Sequence, residues 1–214
     1  MPGDDDDALM AFVRLIASGD ELGIARTLRD RPEVATMQLR RQGATRQQSE
    51  EFFLTELAHH VYRGDTALHV AAAARRPHLV RQLVTAGATA DATNRRGATP
   101  LHYAADGGPG APGWDPDDQA DTVAALVALG AGLDARDANG TTPLLRAVRN
   151  RCASAVAALL DGGADPHAAN RNGSTAMDLA SWTTGRGGSG SPEARAQQEQ
   201  IIVLLTARGV TPST

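Results

Sequence analysis

Four short segments recur along this chain in nearly fixed register, and few folds can produce that pattern. They are Gly64-Asp65-Thr66-Ala67-Leu68-His69, Gly97-Ala98-Thr99-Pro100-Leu101-His102, Gly140-Thr141-Thr142-Pro143-Leu144-Leu145 and Gly173-Ser174-Thr175-Ala176-Met177-Asp178. Gly64 and Gly97 stand 33 residues apart, as do Gly140 and Gly173, while Gly97 and Gly140 are separated by 43. Periods of roughly 20–50 residues mark stacked units, none of which can bury its apolar face alone.

A second marker runs in step. It is an apolar helical stretch closed by glycine: Leu79, Val80, Leu83 and Val84 before Gly87; Val123, Leu126 and Val127 before Gly130; Val156, Leu159 and Leu160 before Gly163; Ile202 and Leu205 before Gly209. The two markers are 23 residues apart in units one and three, 33 in unit two and 36 in unit four. Both excesses therefore fall between the two helices of a unit.

In period and in its Thr-Pro-Leu-His signature, residues 61–210 resemble the ankyrin repeat. The resemblance implies an all-α solenoid of stacked helix-turn-helix units with short β-hairpin-like turns. The units run over about 61–93, 94–136, 137–169 and 170–210. Each residue type fits a role. The marker glycines permit a positive φ in a tight turn. Thr66, Thr99, Thr142 and Thr175 cap the first helices, and Pro100 and Pro143 sit in the first turn, where a missing N–H costs nothing. Gly87, Gly130, Gly163 and Gly209 end the second helices.

Residues 1–60 are expected to hold capping helices and one extra helix. Phe12 to Ala17, then Gly19-Asp20, then Leu22 to Leu28 read as a degenerate helical pair, stopped at Arg31-Pro32-Glu33. A solenoid needs such a solvated end. Ser49 is placed as the cap of a further helix reaching about His59, with Phe52, Phe53, Leu54 and Leu57 as its apolar surface. Asp4 to Asp7 read as a solvated tail.

Aromatic residues are only 3% of the chain, so Ala, Leu and Val must build the core. The net charge of −4 argues against a general nucleic-acid binder. All 21 basic residues are Arg, which together with the Ala and Gly load suggests a high-GC bacterial source. Cys152 is the only cysteine, excluding an intramolecular disulfide and a Cys-based zinc site. The acidic start lacks the features of a signal peptide. No run approaches the ~18 apolar residues of a membrane span. A cytoplasmic protein that binds neither membrane nor cofactor nor metal is the expectation.

In ankyrin proteins the hairpin tips and the exposed face of the first helices bind partners. Carried across by position, this surface comprises Tyr62, Arg63 and Asp65; Arg95, Arg96 and Asp106; Ala138, Asn139, Arg149 and Asn150; and Arg171, Asn172, Trp182 and Thr183. Its arginines suggest a basic groove for another protein with an acidic or phosphorylated surface. The same residues also fit ordinary solvated tips, which are often charged.

The insertions at 107–119 and 183–195 flank unit three at the edge opposite the tips. They could wall a pocket for a small molecule, or a catalytic one, with Tyr103, Trp114, Trp182, Arg149, Arg151 and Arg186 nearby. Tolerated surface insertions are the alternative. Gly185-x-Gly187-Gly188-x-Gly190 matches neither nucleotide fingerprint. His69 and His102 read as structural, and adjacent His59 and His60 would point about 100° apart on a helix. No Ser-His-Asp or Cys-His arrangement is legible. Asp106 with Tyr103 and His102 is a candidate acid/base cluster or plain loop polarity. Cys152, at a helix start beside Arg151, is reactive if exposed and a packing residue if not.

Overall fold

The computed structural model describes residues 2–41, 43, 50–111, 113–182 and 191–211. Within these, ten helices pair in chain order: α1 Pro2–Ser18 with α2 Glu21–Asp30, α3 Ala67–Ala73 with α4 Pro77–Thr85, and α5 Pro100–Ala104 with α6 Pro116–Ala128. Two more pairs follow, α7 Pro143–Arg149 with α8 Ala153–Asp161 and α9 Ala176–Ser181 with α10 Pro192–Ala207. First helices stack in one row, from α1 through α3, α5 and α7 to α9; α4, α6, α8 and α10 stack in a second. The all-α solenoid expected from the period is the fold observed.

The repeated residues act as expected. Gly64, Gly97, Gly140 and Gly173 all have positive φ, between 71° and 88°. A Cβ on Gly64 would come within 2.7 Å of the Asn94 backbone, so this turn also needs glycine for the approach of the next unit. Thr66 Oγ1 accepts from His69 N, and His69 Nδ1 accepts from Thr66 N at 3.2 Å. That bond leaves the proton on Nε2, which donates to Ala98 O of the next unit at 3.1 Å. His102 repeats the arrangement, from Thr99 N to Thr141 O. Both histidines are wholly buried ties between units.

The tips are tied as well. Arg95 N donates to Arg63 O, Ala138 N to Arg96 O, and Arg171 N to Asn139 O, at 2.7–3.0 Å. Each tip after the first is folded by an Asx side chain: Asn94, Asp137 or Asn170 accepts from the backbone N–H groups two and four residues on. One apolar core runs from Leu9 to Val210, with Leu68, Leu101 and Leu144 fully buried at matching positions.

The N-terminal region departs from expectation twice. The acidic start is no solvated tail: it is the first turns of α1, and Asp6 is buried, accepting from Arg40 N at 2.9 Å and Arg41 N at 2.8 Å. Its carboxylate accepts from two consecutive backbone N–H groups and so ties α1 to the segment after the 3₁₀ turn at Pro32–Ala35. The expected extra helix is instead a short antiparallel hairpin, β1 Phe53–Leu54 and β2 His59–His60, joined through a 3₁₀ turn at Thr55–Leu57. Phe52 and Leu54 are buried while Phe53 is exposed. That period of two suits a strand of β-favouring aromatic residues. Ser49 lies outside the described residues.

No helix among the described residues is long and apolar enough to cross a membrane.

Candidate functional site

In units two and three the residues six and nine positions after the marker glycine come together on one face. In unit two these are Tyr103 and Asp106; in unit three, Arg146 and Arg149. Together with Tyr62, Asn94, Arg96, Asp137, Ala138, Asn139 and His59, they line a polar cavity of about 540 Å³.

Arg146 organises the floor. Its guanidinium donates to Asp106 Oδ2 at 2.9 Å and Asp137 Oδ2 at 2.8 Å. Burial opposes its charge, but the two carboxylates outweigh it and raise its pKa. Burial also works against the Asp137 carboxylate. N–H donation from Thr141 and Asn139, together with Arg146, outweighs that and lowers its pKa. Asp106 Oδ1 accepts from Asn150 at 3.0 Å. Beneath this layer Tyr103 is buried. Its hydroxyl donates to Asp65, which also accepts from Tyr62 N and Asn94 Nδ2.

His59 closes one end, its ring edge-on to Tyr103 with centroids 4.6 Å apart. Burial lowers its pKa, against the pull of Asp106 and Asp65, so the ring is neutral near pH 7. At the rim, Arg96 lies over the Tyr62 ring at 4.4 Å and Arg95 at 5.3 Å. Arg149 is exposed, and its guanidinium has no partner among the described residues.

The expected surface is thus split. Tyr62, Arg96, Asp106 and Arg149 meet at the cavity, with Arg95 beside them. Arg63 is exposed but faces a separate hollow with Arg40 and Glu33. Arg171, Asn172 and Trp182 are exposed in unit four, outside the cavity lining. Asn150 is engaged with Asp106 and with Ala105 O. Asp65, expected at the surface, is instead buried, because three donors from two units converge on it.

Among the described residues, those named for a pocket between the insertions do not converge on one. Tyr103 belongs to the concave cavity. Trp114 donates to Gln119 Oε1 at 2.8 Å, on the first insertion's own helix. Arg151 is buried in left-handed backbone (φ 63°) and donates to the carbonyls of Ala180 and Trp182, terminating α9. Arg186 and Thr183 lie outside the described residues.

The first insertion packs onto units one and three: Arg75 donates to Gly113 O and Cys152 to Gly107 O. Cys152 is buried, and burial pushes its thiol up to about 12, so it packs and does not react. A Cβ on Gly108 would fall 2.2 Å from Asn150 O. Gly108→Ala is therefore expected to lift the insertion, cost about 1–3 kcal/mol and speed Cys152 labelling by a thiol reagent under native conditions. An unchanged labelling rate would mean the loop is not packed this way.

His59, Asn94, Ala98, Asp137 and Arg146 line the cavity but fall outside the surface expected from the repeat positions. Arg146 was legible from register, since it stands six residues after Gly140 as Tyr103 does after Gly97. His59 carried no signal; only the hairpin delivers it.

Stacked helical pairs, capped tips and a concave polar face define a repeat protein, and the comparisons with known proteins agree. Residues 30–111 match the family described as ankyrin repeats (3 copies), and residues 96–138 and 139–171 each match a single ankyrin repeat. The chain belongs to the ankyrin-repeat family, whose members are generally protein–protein interaction modules. It is similar to neurogenic locus notch homolog protein 4 of Homo sapiens, 36% identical over 108 residues, which are 50% of this chain and 5% of that protein. It is also similar to notch homolog protein 1 of Danio rerio (33% identical; 55% of this chain, 4% of that one). Notch homolog protein 2 of Homo sapiens is 34% identical, with the same shares. The chain thus spans only about a twentieth of these relatives.

Proposed function

We propose that this protein binds an acidic segment of another protein along its concave face, through the tips of units one to three. The observation that carries this reading is the grouping of Arg95, Arg96 and Arg149 at one cavity rim, on a chain whose net charge is −4. Arginine on Tyr62 keeps its charge while shedding part of its conformational freedom, which suits recognition of a carboxylate. Trp182, half-exposed in unit four, offers an apolar anchor further along the stack. A cytoplasmic setting in a bacterium is part of the same reading, supported by the free buried cysteine and the Arg-only composition.

The test is charge reversal. A variant carrying Arg95→Glu, Arg96→Glu and Arg149→Glu is compared with the unaltered chain in affinity capture, and the captured protein is then titrated by calorimetry. The variant is expected to bind at least about tenfold more weakly, with Tm nearly unchanged because all three side chains are exposed. Equal affinity would remove the concave face from consideration.

A further inference from the structure

The cavity has a donor–acceptor imbalance that the partner surface alone does not explain. Both its carboxylates are already hydrogen-bonded through both oxygens. The two oxygens of Asp106 accept from Arg146 and Asn150. Those of Asp137 accept from Arg146 and from the N–H groups of Asn139 and Thr141. What is left over is nitrogen. His59 Nε2 and Arg146 Nε are buried with no hydrogen-bond partner, and both residues line this cavity. Arg149 adds a guanidinium with no partner among the described residues. Buried polar atoms in folded proteins are seldom left unpaired, and those that are call for an explanation. Here the unmet atoms belong to two different elements around one space: His59 comes from the hairpin and Arg146 from unit three.

We propose that the cavity is a receptor for a single carboxylate, held by Arg149 at the mouth and by the Nε atoms of Arg146 and His59 within. A cation is disfavoured by the guanidinium groups of Arg96, Arg146 and Arg149 around the same space. Charge argues for an anion: Arg96, Arg146 and Arg149 outnumber Asp106 and Asp137 in the lining, and Arg95 stands beside it. A phosphate dianion would press a second negative charge against the two carboxylates. Neutral His59 can place its proton on Nε2, and a carboxylate selects that tautomer. The receptor rests on the concave-face reading, in which the carboxylate is a partner's Asp or Glu side chain. A free carboxylate molecule has the same chemistry.

The isotopically labelled full chain is titrated with N-acetylglutamate N-methylamide to about 100 mM, a range that captures a single weak contact. The glutamine analogue and inorganic phosphate are run at matched ionic strength. The glutamate probe should shift the His59 and Arg146 Nε resonances saturably and report the Nε2–H tautomer, while the glutamine probe leaves them in place. Arg149→Gln should weaken the probe at least tenfold, and Arg171→Gln, at an exposed tip away from the cavity, should not. The proposal is overturned by no shift, by equal shifts with glutamine, by tighter phosphate binding, or by equal loss in Arg171→Gln. Lost capture by the triple reversal without probe binding rejects the receptor and retains the partner surface. Probe binding with unaltered capture keeps the receptor and identifies its ligand as a free carboxylate.

Discussion

Asp65→Ala is expected to lower folding stability by about 3–5 kcal/mol, the largest effect of any single polar substitution in the array. The carboxylate lies inside the first unit and ties it to the second. It accepts from Tyr62 N at 2.6 Å, Asn94 Nδ2 at 2.8 Å and Tyr103 Oη at 2.8 Å. Alanine would take the acceptor away from all three donors, at roughly 1–3 kcal/mol each and less than additively. Urea unfolding followed by circular dichroism measures the loss. Tyr103→Phe removes one donor and leaves the other two, so it should cost only about 1–2 kcal/mol. If Asp65→Ala proved as mild as Tyr103→Phe, the convergence would not be the interlock described here. The marker tetrad alone would then be sufficient to join units one and two.

The second large effect is a loss of stability on mild acidification. His69 and His102 are neutral in the fold, and their Nδ1 atoms accept from the Thr66 and Thr99 backbones. Protonation would turn each acceptor into a second donor facing an N–H. Burial is the main force lowering both; the nearby Arg146 lowers His102 further, to about 4. The unfolded chain titrates near 6.5. Below that pH the unfolded state takes up protons that the folded state refuses. Stability is therefore complete above about pH 6.5, falls with pH, and levels off below the folded pKa. For His102 alone the span corresponds to about 3 kcal/mol. Tm should drop steadily between pH 7 and about 4.5, before most carboxylates titrate, and His102→Gln should flatten the slope. A constant Tm across that window would show that neither histidine is held neutral by the stack.

The core and the ties between units were legible because they repeat. Thr66 and Thr99, His69 and His102, and the turn glycines recur at fixed offsets, and local hydrogen bonding gives each the same role every time. Legibility failed where a residue's role depends on a neighbour that does not repeat. Asp65 occupies a tip position that is exposed in a lone hairpin. It is buried here because Tyr103 and Asn94 of the next unit reach back to it. Trp114 lies within the first insertion and Arg151 in the unit that the insertions flank, yet Trp114 bonds to the insertion's own helix and Arg151 ends α9. The hairpin over 53–60 was hidden for a different reason. Its apolar run is too short to separate a period of two from a helical one, and burial of Phe52 and Leu54 in the apolar core decides the outcome.

By itself, the sequence determined the solenoid. A 33-residue period with capped starts and glycine ends admits one way of burying the apolar faces, and each unit carries the same instruction. Only the tertiary structure decided the site. Its cavity is assembled from a hairpin, three tips and two first helices, drawn from residues 59 to 149, and hydrogen bonds across unit boundaries set which charges are spent and which remain. Periodicity specifies how neighbours stack; it carries no information about what the stacked surfaces leave unpaired.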